Sequence, residues 1–364
     1  MEQYAGLESS ISHVARVLSG VEALHEEIKT GTDFTVDAKY ADEVLKLHEI
    51  DLPSLVGTEG FIDGLKLVAK KGYEWIKQIL KAIRDFFFGI RGKRVDEAIA
   101  RLPETIKSAN ENTVFKEAEK RAEGKATTAQ ENILTLQEFT GKGDTEGASE
   151  KEVRDLARRL SLEERKFISD ELAAVTKDPE IRQKVIHSLD QTATRIYERA
   201  ESKLESAVDG FSRIAKIDPE GRSLKALGVN DFVSIIKDTK EILKGVQGVN
   251  LNNLGDVSSK VIKARNETYK LLQKVTKALE AANDQVDKDP ESELAPILSR
   301  MVSIVGVITD ISVMYDNVIL TMDGGLNTGI KKATDNVVKE AIKAAREKMG
   351  DSVSAAVNNL NAAF

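Results

Sequence analysis

An all-α fold, an elongated multi-helix bundle with a helical N-terminal segment, is what the 364-residue sequence predicts. Three observations carry that expectation. Apolar residues recur at alternating steps of three and four along most of the chain, the spacing of one helix face. Only six prolines interrupt a sequence rich in Ala, Lys, Glu and Leu, all good helix formers. No turn of the hairpin type stands between alternating strands.

Leu7–Lys29, the first element, carries Ile11, Val14, Val17, Leu18, Val21, Leu24 and Ile28 on one side of a helix. Thr30–Thr35 breaks it, and Val36–Ile50 resumes helical spacing. Asp51–Gly60 is a connector, because Pro53 disfavours helix before it and Gly57 and Gly60 loosen the backbone beyond it. Gly60–Arg94 is a basic amphipathic helix. Gly89 and Gly92 then act as stop signals, Val95–Arg101 is a short piece, and Pro103 opens another helix towards Glu123. Ala129–Phe139 is amphipathic and Thr140–Ser149 is a loop. A capping box at Ser161–Glu164 precedes a helix ending near Pro179, which opens a long helix to Ala215. Asp218–Gly221 is a turn, Phe232–Lys244 a helix, Gly245–Gly255 a loop and Val257–Val286 a long helix. Glu293–Met322 carries only Arg300, Asp310 and Asp316 as charges after Glu293, the profile of a central bundle helix. Asp323-Gly324-Gly325 breaks it before a last helix, Ile330–Met349, and a weakly apolar tail. The expected domains are 1–59, 60–140 and 150–364.

Charge is unevenly distributed. Met1–Glu59 holds twelve acidic and four basic residues, a net of −8, whereas the remainder holds 49 basic and 48 acidic residues, a net of +1. Within that remainder, Gly60–Arg94 sets nine Lys/Arg against Asp63, Glu74 and Asp85. It also holds the single Trp, Trp75, and Phe61, Phe86, Phe87 and Phe88. Lys66, Lys70, Lys77, Lys81 and Arg84 fall away from its apolar seam, and Arg91, Lys93 and Arg94 cluster at its end. Three readings compete for this stretch: a packed bundle helix, a surface-active helix, and a nonspecific phosphate contact.

Few patterns point to chemistry. With no cysteine, disulfides, thiol catalysis and thiolate metal sites are excluded. His25-Glu26-Glu27-Ile28-Lys29 lacks the second His of a zinc-protease helix, and His13, His48 and His187 read as surface or boundary residues. Gly245–Asn250 and Gly141–Gly143 lack the Lys-Ser/Thr that completes a phosphate loop. Asp310 and Asp316 are acids on an apolar helix, expected as satisfied buried or rim positions. No secretory signal opens the sequence, and the longest uncharged apolar run, Met301–Thr309, is nine residues, too short for a bilayer. No catalytic set, metal or cofactor is expected.

At the connector, Gly57-Thr58-Glu59-Gly60 sits where the charge changes sign. An acidic helical leader, a small-x-Glu site, then Gly-Phe opening a basic aromatic helix resembles the internal head (inner-body or core) proteins of large tailed phages, phiKZ-like and T4-like. The likeness covers about Met1–Arg94. It implies removal of an N-terminal propeptide by a maturation protease that cuts after Glu59, with Gly57 as the small residue and Gly60 as the new N-terminus. The function expected from it is that of a non-enzymatic structural or packaged virion protein, synthesised in the host cytoplasm and held in the virion interior. Its partners would be other virion or capsid proteins, the protease and nonspecifically bound packaged DNA. The alternative is a membrane-active α-helical protein acting through residues 60–94, with Trp75 and the basic residues meeting the membrane surface.

Overall fold

The computed structural model describes residues 2–55, 60–125, 165–229, 237–242, 250–290 and 292–362. All regular structure among them is helical. In chain order the helices are α1 (Glu2–Thr30), α2 (Val36–Leu47), α3 (Gly60–Phe88), α4 (Ile90–Ser108), α5 (Glu111–Lys125), α6 (165–177), α7 (Pro179–Ile217), α8 (Arg222–Ala226), α9 (Leu254–Lys288) and α10 (Leu298–Ala362). Residues 237–242 are also helical, and 3-10 turns span Pro53–Leu55 and Ala295–Ile297. The segments expected at Ala129–Phe139, Thr140–Ser149 and Ser161–Glu164, and most of the helix at Phe232–Lys244, lie outside the described residues.

The chain divides into two compact units interleaved along the sequence. One comprises Met1–Ala100, Tyr197–Gly248 and Asp256–Thr321; the other Arg101–Ile196, Val249–Gly255 and Met322–Phe364. Helices α4, α7 and α10 contribute residues to both.

In the first unit the opening part of α10 is the axis. Residues 301–319 are buried on nearly every side, as an almost uncharged helix must be to remove its apolar surface from water. Ile11 of α1 sits against Gly306, where a Cβ would meet its methyl carbon at 2.8 Å, and a Cβ at Gly210 of α7 would meet Val307 at 3.2 Å. This helix passes the length and composition test for crossing a membrane, but 83% of its apolar window is buried inside the protein. That burial is the mark of a core helix. A satellite core joins the leader to the basic helix: Leu24, Ala38, Leu45, Ile50, Leu52 and Val68 are buried together, with Phe34, Leu65 and Trp75 against them.

The second unit has its own core, built from Val114, Phe115 and Ala118 of α5, Ile168 and Leu172 of α6, Leu189 of α7, and Val337, Val338 and Ala341 of α10. Ion pairs Arg121–Asp335 (2.8 Å), Lys348–Glu171 and Arg182–Glu111 tie these helices at the margin.

Three expected breaks are absent, one of them at Gly92, which lies inside α4 rather than ending a helix. Asp323-Gly324-Gly325 does not end a helix; α10 runs through it and continues to Ala362. A Cβ at Gly325 would lie 2.9 Å from Ile196, and one at Gly329 2.9 Å from Thr192, so these glycines let α7 approach closely. Asp323 is held by Arg101 (2.9 Å) and Thr105 (3.4 Å), which supports the backbone where propensity is lowest. Pro103 likewise lies inside α4 rather than at a helix start. It removes one backbone bond, while its neighbours Leu102 and Thr105 are buried and keep the helix in register. The break falls instead at Asn110, whose side chain accepts from the Asn112 amide at 2.9 Å and whose carbonyl accepts from Thr113 and Val114.

Candidate functional site

The α3 seam faces inward: Val68, Ile76, Ile79, Leu80, Ile83 and Phe87 are buried. Trp75 is half-buried and lies against His48, ring centroids 5.4 Å apart, beside the satellite core. The apolar face proposed for a membrane is thus already packed within the first unit.

The basic side chains divide into two groups. Lys66 pairs with Asp63 at 3.0 Å on its own helix. Lys77 and Arg84 reach Asp284 and Glu280 of α9, both at 3.9 Å, and Tyr73 donates to Asp284 at 3.0 Å. The Tyr73 ring and hydroxyl beside Lys77, with Asp284 behind, hold its ammonium above the usual range. Arg91 donates to Asn317 at 2.7 Å and lies over Phe86. Part of the basic stripe therefore meets an acidic run on α9 of the same unit. Lys70, Lys81, Lys93 and Arg94 are exposed.

The connector holds Gly57, Glu59 and Gly60, the residues at which processing is expected. Gly57 and Glu59 lie outside the described residues, while Gly60 is the first residue of α3. On the leader side Ile50 and Leu52 are buried, and Ser54 closes a turn by donating its hydroxyl to the Asp51 carbonyl at 2.8 Å. The leader is also docked at α1. Ser299 at the start of α10 donates its hydroxyl to Glu22 at 3.1 Å, and burial pushes the Glu22 carboxyl up to about 7 against the pull of Ser299 and Arg300.

A buried polar cluster lies beneath the α3–α4 corner. Asp316 of α10 is fully buried and accepts from Arg265 Nε at 3.1 Å and Tyr269 Oη at 3.2 Å, both on α9. The same guanidinium reaches Asp96 of α4 at 3.1 Å and lies over the Tyr269 ring at 3.9 Å. Phe87 and Phe88 meet that ring edge-on. Burial pushes the Asp316 carboxyl up, opposed chiefly by Arg265; burial and Asp316 hold the Tyr269 hydroxyl well above its ordinary value. Each carboxylate oxygen has a donor, so the cluster is a lock joining α4, α9 and α10 rather than an acid awaiting a substrate. Asp316 stood out in the sequence; Arg265 did not, since one Arg among many on an amphipathic helix carries no local signal.

The histidines are dispersed. His13 bonds Tyr40 at 2.7 Å, His187 bonds Gln191 at 2.9 Å, and burial lowers the His25 imidazole. Among the described residues no group of acids and histidines could hold a metal ion. Asp310 is half-buried on the central helix.

No family model, curated protein or solved structure matches this chain.

Proposed function

We propose that the chain is a non-enzymatic structural or packaged virion protein of the internal-head type, matured by cleavage after Glu59. The observation that carries this reading is the coincidence at the α2–α3 connector. A small-x-Glu sequence comes after the Pro53–Leu55 turn, directly precedes α3, and marks the change from acidic leader to near-neutral body. The packing adds a consequence. Within residues 2–55, Leu24, Ala38, Leu45, Ile50 and Leu52 cover Leu65, Val68 and Trp75 of α3, and Ile11 is seated at Gly306. Cutting the connector leaves the leader held by noncovalent contacts alone, and its departure uncovers an apolar face for another virion protein. Removal of the leader also strips eight negative charges net from a body that packaged DNA would approach. The membrane-active alternative requires the α3 seam to leave its present packing, at the cost of every apolar contact it now makes.

Peptide mass spectrometry of the protein recovered from mature particles tests the reading. A new N-terminus at Gly60 is expected, and Glu59→Gln should retain the leader. Recovery of only the uncut chain from mature particles sinks it.

A further inference from the structure

The corner between α3 and α4 exposes two large apolar side chains, of which Phe88 meets the Tyr269 ring with one edge only. Ile90 is 89% exposed and Phe88 is 54% exposed. A protein surface tolerates scattered apolar residues, but here two flank a single glycine at the bend between two helices. Helical spacing assigns each a basic companion. Lys81 and Arg84 lie seven and four residues before Phe88 on the same face of α3; Lys93 and Arg94 lie three and four residues after Ile90 on α4. All four are exposed, Arg84 while lying 3.9 Å from Glu280 of α9, and Asp85 is the only acid between residues 81 and 94. The corner is firmly held from behind. Phe87 packs on Tyr269, Arg91 is bound to Asn317, and a Cβ at Gly92 would collide with the Phe87 carbonyl. The apolar tips are thus presented by a rigid support rather than by a flexible loop.

We propose that this corner docks on an anionic lipid surface, with Phe88 and Ile90 entering the interfacial layer and Lys81, Arg84, Lys93 and Arg94 meeting the headgroups. Charge complementarity selects the occupant. A second copy of the same corner would oppose like charges. A nucleic-acid backbone would satisfy the cations but offers nothing to an exposed aliphatic side chain. A bilayer interface takes both, apolar atoms inward and cations at the phosphates. This docking leaves the α3 seam inside the protein, and it is independent of the cleavage at Glu59.

Co-sedimentation of the full chain with phosphatidylcholine vesicles, with and without phosphatidylserine, tests it. Binding to the anionic vesicles is expected, at least about tenfold stronger than to the neutral ones and weakened by salt. Phe88→Ser with Ile90→Ser, and separately Lys93→Glu with Arg94→Glu, should each lower binding about tenfold. The second pair remains diagnostic should the first alter thermal unfolding. Trp75 should stay unquenched by brominated lipid, because α3 does not unpack. No binding to anionic vesicles, binding that survives both variants, quenching of Trp75, or retention by duplex DNA in place of vesicles would each overturn the proposal.

Discussion

Glu22→Gln tests how the leader is held. The wild-type carboxyl is raised from 4.5 to about 7 in the folded chain, chiefly by burial between α1 and the start of α10. Folding therefore favours the protonated form. The contribution of this group is fully present below pH 4.5 and is lost as pH climbs towards 7, after which the folded state carries a charge in a poor environment. A shift of that size has a ceiling of about 3 kcal/mol at 1.4 kcal/mol per unit. Glu22 is half-buried and Arg300 is near, so about 1–2 kcal/mol is the expected effect after screening by solvent. Glutamine keeps the acceptor for Ser299 and cannot ionise. The variant should match wild type near pH 4.5 and exceed it by that amount at pH 8. Urea titrations followed by Trp75 fluorescence read this locally, since Trp75 packs against the core that contains Leu24. His25, lowered by burial, contributes with the opposite slope, but it is common to both proteins and cancels in the difference. Superimposable pH profiles, or a variant less stable at pH 8, would refute the reasoning.

Other substitutions probe other parts of the first and second units. Arg265→Met leaves Asp316 buried without its main partner and should cost about 3–5 kcal/mol, whereas Arg265→Met with Asp316→Leu should recover most of that loss. Equal denaturation midpoints for the single and double variants would count against the lock. Gly325→Val forces a branched side chain into Ile196 and should destabilise by about 1–3 kcal/mol. Gly324→Ala, with nothing within 4 Å of the new methyl, should stabilise by about 0.5–1 kcal/mol. Thermal unfolding monitored by circular dichroism separates the two glycines.

Local rules reached the helices but not their partners. The three-and-four spacing of Ile76, Ile79 and Ile83 places the inner face of α3, but its expected continuation through Phe86 and Ile90 fails, since α3 ends at Phe88, Phe87 is the buried ring and Ile90 is exposed. Pro179 opens α7 where its fixed dihedral suits a first turn. Low propensity at Gly324 and Gly325 reads as a stop only while their surroundings are unseen. Once Ile196 and Thr192 stand opposite, the missing Cβ atoms are what allow the two helices to close. Pro103 is the same lesson in reverse, a breaker outweighed by buried Leu102 and Thr105. The basic stripe of α3 is plain in the sequence, but Glu280 and Asp284 lie some two hundred residues further on. Ranking of the cations into paired and exposed groups therefore waited on the tertiary fold. Ile90 and Phe88 were legible as apolar residues near a glycine, yet only their exposure distinguishes them from Phe87, which is buried.

The interleaving of the two units sets an order for synthesis. Arg265 must find Asp316 and Asp96, and Asp323 must find Arg101, across as many as 222 positions of chain. Neither unit can close until α10 has left the ribosome, because each takes part of that helix as its core. The cluster of Leu24, Leu45, Leu52 and Val68 is different, complete within the first seventy or so residues. At elongation rates of about 5–20 residues per second, it has roughly 15–60 seconds to assemble before the last helix arrives. Short sequence separation makes it fast to form, and it keeps part of the most apolar face of α3 covered during that wait. A segment that folds first and shelters its neighbour has a role in building the protein separate from any role in the finished one.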